Sequence, residues 1–432
     1  MKTEKEEAVN MNNAENMIAH LEKGDMAGAS ALYEKVLASS DAEEQFMLGE
    51  QLLQLGFLDE ARQLFEELLR SFPGEGELSL LLAETLVELD REEEAMLILD
   101  EIDDSDPFYT RSLLVLADLY QMQGLYEVSE QKLLQAQQAE PDEPVIKLAL
   151  GELYLEEGKF LEAIRQYKEL EEAGVEEIAG ISIQKRLAEA YSAGGAFEES
   201  LPHFEQALDD KIDIDTLFMY GFTAFQAGQY KTAAAKLTEA AELDPDYHSV
   251  YLYLARAHEM EEDLEAALEA ARSGIARDAY QKELFLLAGK LALKRGLEEE
   301  GEAHLRESLA LDPEYTEAAL ALNALLMKKE EYEGVLEIAS VFREAGSAEP
   351  LLLWDAARAA ERLEEYKEAA ELYEYLYPIL NENTEFLAEY GYFLLEEGHR
   401  QQALSIFQKL MKEEPLNDEW SELVERLNTD TY

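Results

Sequence analysis

Cysteine is absent from the 432-residue chain, which removes disulfides, thiolate catalysis and Cys-ligated zinc. Positive charge is scarce: 36 Lys and Arg face 96 Asp and Glu, for a formal net charge of -60. A field of that sign repels nucleic acid and anionic membrane surfaces, so neither is an expected partner. Histidine occurs only at His20, His203, His248, His258, His304 and His399, and no two have the i, i+4 spacing of a helical zinc site. The carboxylate run "LDEIDDSDP" (Leu99 to Pro107) lacks the Gly and terminal Glu of a calcium loop. There is no Gly-rich phosphate loop with a following Lys, and no Ser-centred nucleophile motif. Carboxylates are too numerous for a catalytic pair to stand out from the solvated background. The expectation is a non-enzyme without cofactor or metal. No apolar run has the length of a membrane span, and "MKTEKEEAVNMNNAENM" lacks a signal peptide's apolar core. A cytoplasmic protein with no direct membrane insertion is expected.

What the sequence has in abundance is repetition. In "DIDTLFMYGFTAFQAGQYKTAAAKLTEAAELDP" (Asp213 to Pro245), the spacing Tyr220-Gly221, Gly228, Ala233, Leu237 and Pro245 recurs along the chain. Leu48-Gly49, Gly56, Ala61, Phe65 and Pro73 repeat it, as do Leu150-Gly151, Gly158, Ala163 and Tyr167. Tyr390-Gly391, Gly398, Ala403, Phe407 and Pro415 close the series. About twelve such repeats follow a period of about 34 residues. Each holds two apolar stretches of helical periodicity split by a short turn such as "QAGQY", which is a helical hairpin. Small residues such as Gly221 and Ala233 stand where the two helices cross, and the prolines end the second helices. One hairpin cannot bury its own apolar faces, so neighbours must stack.

This pattern resembles the tetratricopeptide repeat (TPR) family over nearly the whole chain. On architecture and acidity it also resembles the YpiA-like proteins of Bacillus-type bacteria. The resemblance implies an all-α, right-handed superhelical solenoid without β-sheet: about twelve hairpins plus a C-terminal capping helix. Residues 1–9 read as an acidic tail, 10–180 as repeats one to five, 181–415 as repeats six to twelve, and 416–432 as capping helix and tail. "NDEWSELVERLN" (Asn417 to Asn428) carries the cap, with Trp420, Leu423, Val424 and Leu427 on one stripe. "ELEEAGVEEIAGIS" (Glu169 to Ser182) adds about three residues to the period and reads either as a hinge or as a loop insertion.

In TPR hairpins the first helix lines a concave groove, so the resemblance implies that its non-core positions meet a ligand. Counting from the first helical residue, the ninth positions run Glu50, Glu84, Asp118, Glu152 and Glu189 in the early repeats. After Phe222 the sign reverses, to Arg256, Lys290, Ala324 and Arg358, while late thirteenth positions are Lys294, Lys328 and Arg362. Like charges on such a ladder repel, so a partner segment is one reason for them and local ion pairing the other. Phe218, Phe222 and Phe225 share one stripe at the sign change. They read either as an apolar anchor for the partner or as packing against the next first helix. A carboxylate clamp of the chaperone-tail-binding kind is absent, since Lys185 pairs in register with Glu189 and Met219. The function expected is a protein–protein interaction scaffold or adaptor holding a protein or peptide segment, with an acidic segment on the late basic ladder. The alternative is a regulatory sensor that binds a short peptide and changes superhelical pitch.

Overall fold

The structure is a computed structural model that describes residues 12–347 and 349–429; the expected acidic tail at 1–9 lies outside them. Two compact units divide the chain, Met1–Lys211 and Ile212–Tyr432, and each is a run of helical hairpins. The first unit opens with α1 (Asn13–Glu22) against α2 (Met26–Leu37), then α3 (Ala42–Gln54) against α4 (Leu58–Ser71). It continues with α5 (Gly76–Glu88) and α6 (Glu92–Leu99), then α7 (Tyr109–Met122) and α8 (Tyr126–Ala139). Then come α9 (Pro144–Glu156) and α10 (Phe160–Glu172), and finally α11 (Ile183–Ala193) and α12 (Phe197–Asp210). The second unit pairs α13 (Ile214–Gln226) with α14 (Tyr230–Leu243), and α15 (Ser249–Met260) with α16 (Leu264–Arg277). Next are α17 (Lys282–Lys294) with α18 (Glu298–Leu311), and α19 (Thr316–Lys328) with α20 (Tyr332–Ala345). The last pairs are α21 (Pro350–Arg362) with α22 (Tyr366–Leu380) and α23 (Thr384–Glu396) with α24 (Arg400–Glu413), followed by α25 (Asp418–Thr429).

The small residues act by distance. A Cβ added at Gly221 would lie 2.6 Å from Leu237 Cγ and 3.3 Å from the Ala233 carbonyl oxygen, so a side chain there would force α13 and α14 apart. The turns act by dihedral angle. Gly228 has φ +74°, its N–H donates to the Phe225 carbonyl at 3.0 Å, and Gln229 N–H reaches the Ala224 carbonyl at 2.8 Å. That left-handed glycine closes α13 and turns the chain into α14. Large apolar side chains such as Phe65, Tyr167, Phe204, Tyr373 and Phe407 fill the interior between the helices. At the C-terminus, α25 buries Trp420, Leu423, Val424 and Leu427 on the core of α23 and α24, and so covers the last apolar face.

Two features differ from the sequence expectation. The segment after α10 is a small antiparallel ribbon, β1 (Glu177–Ile178) paired with β2 (Ile181–Ser182). Ala179 at φ 50° and Gly180 at φ 85° make the two-residue turn that such a ribbon needs. Val175, Ile178 and Ile181 dock on the core of α9–α11, so the added residues supply apolar surface in place of a bare loop. Proline, in turn, does more than end second helices: Pro144 and Pro350 open first helices, and Pro202 and Pro378 lie inside α12 and α22.

Candidate partner-binding face

In the second unit, α13, α15, α17, α19 and α21 each touch the next, forming one first-helix face. Phe218, Phe222 and Phe225 are half-buried on it. All three converge on Tyr253 of α15, with ring centroids 6.0, 4.9 and 6.1 Å away, in edge-on geometry. Tyr247 stands 5.4 Å from Phe218, and Tyr230 stands 5.5 Å from Phe225. Tyr247 also donates to Asp215 Oδ1 at 3.0 Å, which ties the edge of the patch to α13. The stripe thus packs α13 on α15 and still shows part of each ring to solvent. Tyr253 is the residue that the sequence reading missed. Its signal was available: it occupies the sixth position, three residues before Arg256 on the same helix face.

The cations divide into held and free. Lys294 Nζ reaches Glu259 at 2.6 Å and Lys328 Nζ reaches Glu298 at 2.5 Å. Arg358 pairs with Asp355 at 2.8 Å and covers the Trp354 ring at 4.9 Å. Arg256, Lys290 and Arg362 are exposed, and none has an ion-pair partner among the described residues. Arg256 lies 5.9 Å from the Tyr253 ring, at the rim of the aromatic patch.

The acidic positions belong to the first unit. Arg186 clamps Glu152 at 2.8 Å and Glu189 at 2.7 Å, which relieves the repulsion between two rungs of the ladder. Glu152 also accepts from Tyr167 Oη at 2.7 Å, and Glu84 pairs with Arg111 at 2.7 Å. Asp118 is exposed and Glu50 half-buried, each without an ion pair among the described residues. The carboxylate-rich loop after α6 spends its groups locally: Asp106 accepts from Gly76 N–H at 3.2 Å and Phe108 N–H at 2.8 Å, and Asp103 accepts from Ser105 N–H at 2.9 Å. Among the described residues no helix is long and apolar enough to cross a membrane.

Stacked hairpins with small crossing residues and left-handed glycine turns define a tetratricopeptide-repeat protein. Tetratricopeptide-repeat families match residues 52–119 and 223–282. The YpiA-like tetratricopeptide repeats match residues 121–175, and the YpiA-like C-terminal repeats match 350–417. The TPR repeat-containing protein YpiA of Bacillus subtilis (strain 168) is 42% identical over 385 residues, covering 89% of this chain and 91% of that one. The chain belongs to the YpiA-like tetratricopeptide-repeat family. Among solved structures, YrrB, a TPR protein with an unusual peptide-binding site, is 18% identical with TM-score 0.38, covering 44% of this chain and 96% of its own. The APC/C hetero-tetramer Cut9-Hcn1 is 12% identical with TM-score 0.35, covering 95% of each.

Proposed function

We propose that the chain is a non-catalytic interaction scaffold whose second unit holds a segment of a partner protein on its first-helix face. The observation behind this reading is the half-exposed patch of Phe218, Phe222, Phe225 and Tyr253, rimmed by the unpaired cation Arg256, with Lys290 unpaired at the matching register position of the next first helix. Packing alone accounts for the buried side of these rings and gives no reason for the exposed side. In a chain of net charge -60, a free cation beside half-exposed aromatics, followed by a second free cation on the next first helix, fits a segment with an apolar side chain followed by carboxylates. Lys294 and Lys328 serve mainly to join neighbouring repeats, since each already holds a glutamate.

Peptides selected from a random display library on the immobilised chain should be enriched in an aromatic or aliphatic residue next to Asp or Glu. Burying one such side chain contributes roughly 1.5–3 kcal/mol. Phe222→Ala with Phe225→Ala should therefore weaken the selected peptides on the order of a hundredfold while the folded chain persists. Retained affinity in the folded fraction of this double variant would overturn the assignment. Reversal of Arg256 and Lys290 to Glu tests the polar half of the reading without touching an internal ion pair.

A further inference from the structure

One hairpin of the second unit breaks the small-residue rule. Every other hairpin from α3–α4 to α23–α24 puts Gly, Ala or Ser at both crossing positions, as at Gly151 and Ala163 or Gly289 and Gly301. In α19–α20 those positions hold Asn323 and Val335, both fully buried. Their extra volume holds the helices off. Among the described residues, α19 and α20 approach each other along less of their length than the helices of any other hairpin. Ala339 stands where most hairpins place Leu, Phe or Tyr, so less side chain fills the space between them.

Beside this hairpin lies a cavity of about 310 Å³, lined from the second helices α18 and α20 and from α19 between them. Leu322 is buried in its wall and Leu309 and Ile338 are half-buried, while Ala310 and Val341 are exposed at its lip. Two charged residues complete the lining, Arg306 and Glu337. Arg306 is already taken by Glu302 at 2.8 Å, and Glu302 also holds Lys329 at 2.6 Å. Glu337 has no ion-pair partner among the described residues. It shares one exposed stripe of α20 with Glu333, Val341 and Glu344, and those two glutamates are likewise without an ion pair among the described residues. An apolar opening therefore sits on a line of uncompensated negative charge roughly 16 Å long.

We propose that this cavity receives one aromatic side chain, Trp or Phe, from a basic segment of a partner protein whose Lys or Arg residues pair with Glu333, Glu337 and Glu344. An apolar cavity of about 150 Å³ already accepts benzene, so this one has room for a phenyl or indole ring. A ring seated in a pocket, with charged contacts around it, is how an interface concentrates affinity. A small cationic amphiphile would engage Glu337 alone. Carboxylates spread over three turns of helix suit a chain that carries several cations. An anionic ligand would meet the same carboxylates and be repelled. The site is built on second helices and takes a basic segment, so it goes beyond the aromatic patch of the first-helix face and does not depend on it.

The test uses the full chain and capped Ala/Ser peptides in calorimetry at physiological salt. One peptide carries a central Trp flanked by Lys residues, a second has Ala in place of Trp, and a third has Gln in place of Lys. The Lys–Trp peptide should bind about tenfold tighter than either of the others. Equal binding of the Trp and Ala peptides would reduce the effect to general attraction by an acidic chain and overturn the site. Ala310→Phe puts a ring into the cavity from an exposed position without changing a charge, and should erase the advantage of Trp over Ala. An advantage that survives in this variant, with its thermal transition showing it folded, would also overturn the site. Glu333→Gln with Glu337→Gln should weaken the Lys–Trp peptide at least about fivefold, and Glu205→Gln with Glu242→Gln, exposed on α12 and α14, by less than about twofold. Equal losses in the two pairs would refute the pairing with α20. Phe222→Ala with Phe225→Ala should leave Lys–Trp binding intact, and its loss there would move the ring to the aromatic patch and overturn the assignment to this cavity.

Discussion

Glu361 accepts a hydrogen bond from Tyr373, yet burial and the nearby Glu396 hold its carboxyl above the ordinary range, against the smaller opposing pull of Tyr373 and Arg362. A carboxyl raised on folding adds stability below its unfolded pKa and loses that contribution as pH rises through the folded value. At neutral pH the ionised Glu361 therefore weakens the fold. Glu361→Gln should raise the thermal midpoint at pH 7, and the gain should vanish once pH falls below the usual glutamate range; thermal scans at both pH values check this. The phenylalanine stripe was legible in the sequence because i, i+4, i+7 spacing needs only one helix. The ring contacts of Tyr253 were not, because they come from a neighbouring repeat, and a single helix period, which places Tyr253 only on the face of Arg256, says nothing about which rotamers cross between helices. The ion pairs of Lys294 and Lys328 escaped for the same reason, each spanning at least thirty residues of chain.

Hairpin turns show the opposite balance, being almost wholly written in local residues. Wherever the turn has glycine, as at Gly56, Gly158 or Gly398, φ lies between 71° and 81°. Four turns put another residue there: Asp90, Glu262, Glu330 and Glu364, at φ 58–62°. A side chain in that region costs roughly 1–2 kcal/mol, partly offset against glycine's greater loss of chain freedom. Replacing Glu262, Glu330 and Glu364 together by Gly should stabilise the chain by about 0.5–1 kcal/mol per site, seen as a higher urea midpoint at unchanged slope. No change, or a loss, would mean that turn strain is already relaxed. The ribbon at 177–182 was readable only as added length. Its alternation is two residues deep, too short for periodicity to separate strand from loop, although Ala-Gly at the turn was the available hint.

Across the whole chain, the hairpin period carried the architecture, since one small-residue spacing repeated about twelve times leaves little freedom in how the helices pair. The choice of partner is legible only in part, because a repeat scaffold serves many ligands and side chains from several repeats must be assembled to read one. Among the described residues, every helix pair in substantial contact lies one or two elements apart along the chain. That feature has a mechanical consequence. Within either unit, tension along the chain meets no substantial tie between distant helices among the described residues, so it should peel the unit one hairpin after another. Each release of about 34 residues should add roughly 110 Å of contour length, giving a regular sawtooth of small events in an optical trap. A protein of the same size with an interleaved core would instead let go in one large rupture. This one behaves as a ratcheted spring, able to lose and regain a link at either end while the rest keeps its grip.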